Sequence, residues 1–196
     1  MWNTKTPGIP DEFFDRDEGV PITKEEVRVV QISKARLKPG MIVYDIGCGS
    51  GSISVEAALQ VEDSGHVHAV DNDVKAVELT KKNLAKFGVR NVSVINNDAN
   101  KAISDLPEAD AIFIGGTGKD TKEIVKLCQD KLKQGGRIVI GMILIETIFS
   151  VLSLIQELSF NSVDITQVTI SKSRKTSTGT MMLARNPVTI LSATKN

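Results

Sequence analysis

Five short apolar runs, each leading into a helical pattern, constrain this 196-residue chain more than any other feature. The runs cover residues 42–46, 67–71, 92–96, 109–115 and 137–142. They are nearly continuous rather than alternating, as in parallel strands buried on both faces. Helical patterns follow at 51–61, 73–87, 100–105, 120–132 and 146–158. Asp73 can cap the second of these, and Gly88 can stop it. In the last, Ile148, Leu152 and Ile155 share one face. Strictly alternating β and α elements predict an α/β fold, with a mostly parallel sheet and helices on both faces.

Both ends depart from the alternation. Residues 1–22 form a lead segment punctuated by Pro7, Gly8 and Pro10, and residues 23–196 read as a single domain. Thr23 stands three residues before Glu26, a capping-box spacing, and Val27, Val30 and Leu37 then fall on one helical face. At the other end, residues 162–171 and 180–191 read as strands around KSRKTSTG, which has no helical pattern. The expectation is an antiparallel hairpin that completes a seven-stranded sheet at its edge.

The stretch VYDIGCGSGSISVE, residues 43–56, carries the chemistry. It places Gly47, Gly49 and Gly51 just past the first strand, where an open parallel sheet binds its ligands. Glycines there let a ligand approach the main chain. Asp71 ends the second strand, where an acid can take ribose hydroxyls. The spacing is GxGxG rather than GxGxxG. Asp45, two residues before the loop, would also repel a pyrophosphate. S-adenosylmethionine has no phosphate and offers an ammonium, a sulfonium, a carboxylate and a ribose. Asp45 is assigned the ammonium, the backbone N–H groups of the loop the methionine carboxylate, and Asp71 the ribose. Asp98 and the backbone near Ala99, after the third strand, are assigned the adenine edge. Cys48 reads as a small loop filler, because nothing basic flanks it to make a thiolate. Cys128 reads as core, and His66 and His68, at the far end of their strand, receive no catalytic role.

Methyl transfer is an in-line displacement, for which a protein chiefly supplies orientation and exclusion of water. The loop after the fourth strand reads Gly115-Gly116-Thr117-Gly118. It has neither the Asn-Pro-Pro-aromatic motif of amino-methylating nucleobase enzymes nor a Pro-Cys nucleophile. It suits a bulky acceptor whose own electrons attack, and equally a plain flexible loop.

GIPDEFF, ITKEEVR, DIGCGSGSISVE, IGGTG and GTMMLARNPV, in order along nearly the whole chain, resemble the CbiT family. Its members are decarboxylating cobalt-precorrin-6B C(15)-methyltransferases of the anaerobic cobalamin route. The resemblance implies a Rossmann-like class I methyltransferase fold and S-adenosylmethionine as cofactor. It implies that Gly47, Cys48, Gly49, Ser50 and Gly51 line the cofactor, with Asp71 on the ribose and Ala99 near adenine. It further implies that Thr23 closes over the cofactor, and that the protein is a homotetramer assembled through the late β segment. A tetrapyrrole carrying many carboxylates needs cations. Lys24 and Arg28 on the first helix, and Lys172, Arg174 and Lys175 before Gly179, are the candidates, beside Gly115, Gly116 and Thr117. A solvated basic hairpin tip is the competing reading of any one of these five cations.

Composition excludes some classes. Lys plus Arg equals Asp plus Glu, 24 each, so there is no basic excess for nucleic acid. The longest apolar stretch, around 138–145, is too short to span a bilayer. Two cysteines and no apolar leader point to a reducing, cytoplasmic setting. No metal site is expected. Two rivals remain: a tRNA adenine methyltransferase, and a non-catalytic subunit that binds a nucleoside.

Overall fold

Seven strands form one sheet in the order β3-β2-β1-β4-β5-β9-β6. The computed structural model describes Trp2, residues 4–158 and residues 160–196. Five strands are parallel: β1 (Ile42–Ile46), β2 (His66–Asp71), β3 (Val92–Asn96), β4 (Ala109–Ile114) and β5 (Leu132–Met142). The helices are α1 (Glu25–Ala35), α2 (Ser52–Val61), α3 (Val74–Phe87), α4 (Ala99–Asp105), α5 (Thr121–Lys131) and α6 (Ile145–Glu157). The α/β class and the covered parallel sheet are as predicted.

Adjacent residues of one strand feed opposite layers, which explains the unbroken apolar runs. Tyr44, Ile112, Ile114, Ile138 and Ile140 pack with Ile103 of α4, Val125 of α5 and Leu154 of α6. Val43, Ala111, Phe113 and Val139 pack on the other face with Val27 and Ile32 of α1 and Ala57 and Val61 of α2. Each such large side chain contributes about 1.5–3 kcal/mol by leaving water. The lead segment packs on the same globule, its Ile9 and Phe14 buried with Val55, Leu84 and Phe87.

Three expectations need correction. First, the late segments pair antiparallel and complete the seven-stranded sheet as expected, but they divide into four strands rather than two. β6 (Phe160–Val168) and β9 (Val188–Lys195) pair antiparallel and complete the main sheet beside β5. Between them, β7 (Ser171–Lys175) and β8 (Thr180–Ala184) form a separate two-stranded hairpin. Asn186-Pro187 accounts for one break, since proline cannot donate to a ladder. Second, β5 begins at Leu132 and runs through Gly135 and Gly136, with a register irregularity against β4.

Third, Thr23 does not cap α1. The helix begins at Glu25, and the amide of Glu25 donates to Asp11 Oδ1 at 2.9 Å. The cap comes from the lead segment, fourteen residues upstream. Asp73 does cap α3, accepting from the Lys75 amide, and Gly88 ends that helix in the left-handed conformation.

Arg28 is also displaced from its expected role. Its side chain is fully buried, and its Nε donates to Glu56 Oε1 at 2.6 Å. Nη1 and Nη2 donate to the carbonyls of Thr23 and Ile9. Glu56 in turn accepts from the amides of Gly8 and Ile9, at 2.9 and 3.0 Å. This ion pair straps the lead segment to α1 and α2, and no part of Arg28 is free for a substrate. Among the described residues no helix is long and apolar enough to cross a membrane.

Candidate active site

The glycine loop joins β1 to α2, and each of its three glycines is required for a different reason. All three have positive φ, at 76°, 54° and 74°. A Cβ on Gly47 would lie 1.8 Å from the carbonyl oxygen of Gly115, one on Gly49 2.7 Å from that of Pro21, and one on Gly51 2.8 Å from the Thr80 side chain. The loop is pressed between the loop that follows β4, the lead segment and α3.

That compression overturns one expectation. The amides of Gly47 and Cys48 donate to the Val70 carbonyl, that of Ser50 to Pro21, and that of Gly51 to Cys48. The amide of Gly49 donates to Asp71 Oδ2 at 2.9 Å. Every loop N–H is therefore already paired within the protein. The loop offers close approach and shape, not donors for a carboxylate.

Asp71 sits at the tip of β2 and also accepts from the Asp73 amide at 3.0 Å. Each carboxylate oxygen keeps a second lone pair, so a rigidly held acid can still accept two hydroxyls. Asp98 accepts from the Asn100 amide at 2.9 Å and caps α4, which begins at Ala99. Beside it the Oδ1 of Asn100 is buried without a partner among the described residues. The sequence reading missed Asn100, which resembles any polar residue in a helical first turn.

Asp45 is 3% exposed and accepts from the Ser54 hydroxyl. Burial pushes its carboxyl up to about 6, Asp71 adds to the rise, and Ser54 partly offsets it. A buried acid of this kind lacks a cation. Cys48 lies against Thr80, and burial raises its thiol, as it does that of Cys128. Both cysteines are free and buried, as predicted.

Asp45, Gly47, Cys48 and Gly49 border a cavity of about 470 Å³ over the tips of β1, β4 and β5. Thr23, Lys24, Gly115, Gly116 and Thr117 line it as well. The Thr117 and Thr121 hydroxyls are paired at 2.8 Å. Asp71, Asp98 and Ala99 lie outside the cavity lining, at the neighbouring tips of β2 and β3. Ser50 and Gly51 turn inward behind the loop. The wall is largely apolar, from Ile22, Val27, Ile114, Ile140, Met142 and Val188. The sequence reading also missed Gln31 of α1 and Gly141 of β5, which meet in this wall.

Arg174 and Lys175 do not reach the cavity. They lie exposed on β7, and Lys172 is tied to Glu25 and Glu26 at the start of α1, at 3.2 and 2.5 Å. Among the described residues no group of acids, histidines or cysteines is arranged to hold a metal.

The strand order, the glycine turn after β1 and an acid ending β2 together define a class I methyltransferase fold. The precorrin methyltransferase domain matches residues 12–195. A probable cobalt-precorrin-6B C(15)-methyltransferase (decarboxylating) of Saccharolobus solfataricus is 47% identical, over 99% of this chain and 98% of that protein. The crystal structure of precorrin 8W decarboxylase from Methanobacterium thermoautotrophicum superposes with a TM-score of 0.89, at 35% identity, over 94% of this chain and 98% of the other. A precorrin-6y C5,15-methyltransferase from Geobacter metallireducens gives a TM-score of 0.90 at 32% identity, over 97% and 99%. The chain belongs to the precorrin methyltransferase family.

Proposed function

We propose that the protein methylates C-15 of cobalt-precorrin-6B, or a closely related precorrin, and removes the carboxyl group of the C-12 acetate arm. The observation that carries this reading is the cavity itself. It joins Asp45 and the glycine loop to an apolar chamber above β4 and β5, bordered by Gly115 and Gly116.

S-adenosylmethionine, when bound, supplies the methyl group. The residues present fit it. Asp45 is a buried acid lacking a cation, which an ammonium would provide. Gly47 and Gly49 border the place where it would lie, and Cys48 fills the loop between them. Ser50 and Gly51 fix the turn from behind. Asp71 keeps two lone pairs for a ribose, and Asp98, Ala99 and the unpaired Asn100 carbonyl stand where a base would reach. Thr23 lines the cavity and its carbonyl accepts from Arg28, which suits a residue that closes over the cofactor.

The acceptor side asks little of the protein chemically. A reduced tetrapyrrole carbon is enamine-like and attacks the methyl with its own electrons. The chain orients the ring and excludes water. Lys24 and Thr117 provide polar contacts at the chamber, and Gly115 and Gly116 provide room. The free cysteines fit a cytoplasmic setting. The exposed Met181, Met182 and Leu183 of β8 suit assembly into a homotetramer through the hairpin.

The test is to incubate the protein with S-adenosylmethionine and cobalt-precorrin-6B and to weigh the product. The expected change is a gain of CH2 together with a loss of CO2. Cofactor binding with an unchanged tetrapyrrole would instead indicate a non-catalytic subunit, and methylation of tRNA an RNA enzyme.

A further inference from the structure

Gln31 of α1 is 4% exposed and borders the cavity, yet its Oε1 has no hydrogen-bond partner among the described residues. An unpaired polar atom at such depth is costly and calls for a ligand. Its place depends on Gly141 of β5, where a Cβ would come within 2.4 Å of the Gln31 Nε2. The wall around it is aliphatic, with Val27, Ile140, Met142 and Val188. Lys24 is the one cation among the described cavity-lining residues, seven positions away and roughly 10 Å along the helix axis.

We propose that the Gln31 amide holds the substrate carboxyl group that departs as CO2. A primary amide is the neutral complement of a carboxyl group: its NH2 donates to a carboxylate oxygen, and its carbonyl accepts from the acid form. A cation there would stabilise the carboxylate and oppose its conversion to neutral CO2. An amide in an apolar wall orients the group and leaves its charge poorly solvated, which favours departure. Methyl transfer adds a positive charge to the conjugated ring. The bond between the acetate methylene and the carboxyl carbon then breaks, its electron pair enters the ring, and CO2 leaves. The exocyclic carbon takes a proton from water, while the methylated carbon gives one up to water.

This inference rests on the function proposed above, and the experiment separates the two. Single-turnover reactions with cobalt-precorrin-6B compare CO2 released with S-adenosylhomocysteine formed, for wild type, Gln31→Leu, Gln31→Met and Gly141→Ala. Calorimetry with S-adenosylmethionine checks that each variant is folded. The wild type is expected to give one CO2 per S-adenosylhomocysteine; if it gives neither, the function itself fails. In the variants the ratio is expected to fall about tenfold or more, with a methylated, undecarboxylated product accumulating and cofactor affinity unchanged. A ratio that stays at one in the folded variants overturns the assignment. That holds whether both rates are unchanged or both fall together, since Gln31 would then hold the ring as a whole or nothing.

Discussion

At Asp45, burial holds the carboxyl near pH 6, so the ligand-free protein keeps there a proton that the unfolded chain, titrating near 3.8, has already lost. The sign follows from linkage. Stability contributed by this group falls as pH rises between about 4 and 6 and stays low above, a cost of about 3 kcal/mol. Asp45→Asn is therefore expected to raise the Tm of the free protein by roughly 7 °C at pH 7.5, and hardly at all at pH 4, in a calorimetric scan. The same substitution should abolish measurable uptake of S-adenosylmethionine. In the wild type, cofactor affinity should drop about tenfold for each pH unit below 6, because the ammonium must then displace a proton. An affinity that does not vary from pH 5 to 7.5 would remove Asp45 from that role. The residue itself was legible from its position before a glycine loop. Its raised titration was not, because it comes from the layers that enclose it.

Among the elements, the strap built by Arg28 and Glu56 organises everything on the near side of the pocket. Removing one partner of a buried pair leaves the other uncompensated, typically at 3–5 kcal/mol. Glu56→Ala is expected to fall in that range by urea unfolding, and to expose residues 8–14 to limited proteolysis, since the amides of Gly8 and Ile9 lose their acceptor. Cleavage no faster than in the wild type would show that the lead segment is held by Ile9 and Phe14 alone. None of this was readable from the chain. The order of strands and helices was, because each parallel strand announces itself locally and is bounded by glycine, aspartate or proline. The cap on α1 comes from Asp11 and the strap spans 28 positions, so no local pattern marks either. Gln31 likewise looks like a solvated helix position until α1 is laid against Gly141.

For the molecule as a whole, the β7–β8 hairpin lies outside the main sheet, joined to the start of α1 by Lys172 and Arg185. Met182 of β8 is 63% exposed. Val163 and Ile165 of β6 are exposed as well, and exposed apolar side chains grouped on one segment mark a candidate contact surface. For the proposed homotetramer, Met182→Glu together with Leu183→Glu is expected to lower the mass by light scattering to that of a monomer while leaving far-UV circular dichroism intact; a wild type already monomeric overturns the proposed assembly. A mass unchanged from the wild type would assign assembly to another face. The sequence reading ran β8 into β9 and left nearly all of β7 in the segment between its two expected strands. Only pairing partners distinguish them.

The position of β9 between β5 and β6 bears on how the protein is made. As the polypeptide leaves the ribosome, β6 emerges with no neighbour to join, and the hairpin that follows it can close on its own. Until residues 188–195 appear, both the outer side of β5 and all of β6 expose open backbone, the kind of edge that recruits other nascent chains. A premature stop anywhere before Val188 would leave that gap for good, and the shortened product is expected in inclusion bodies rather than in the supernatant.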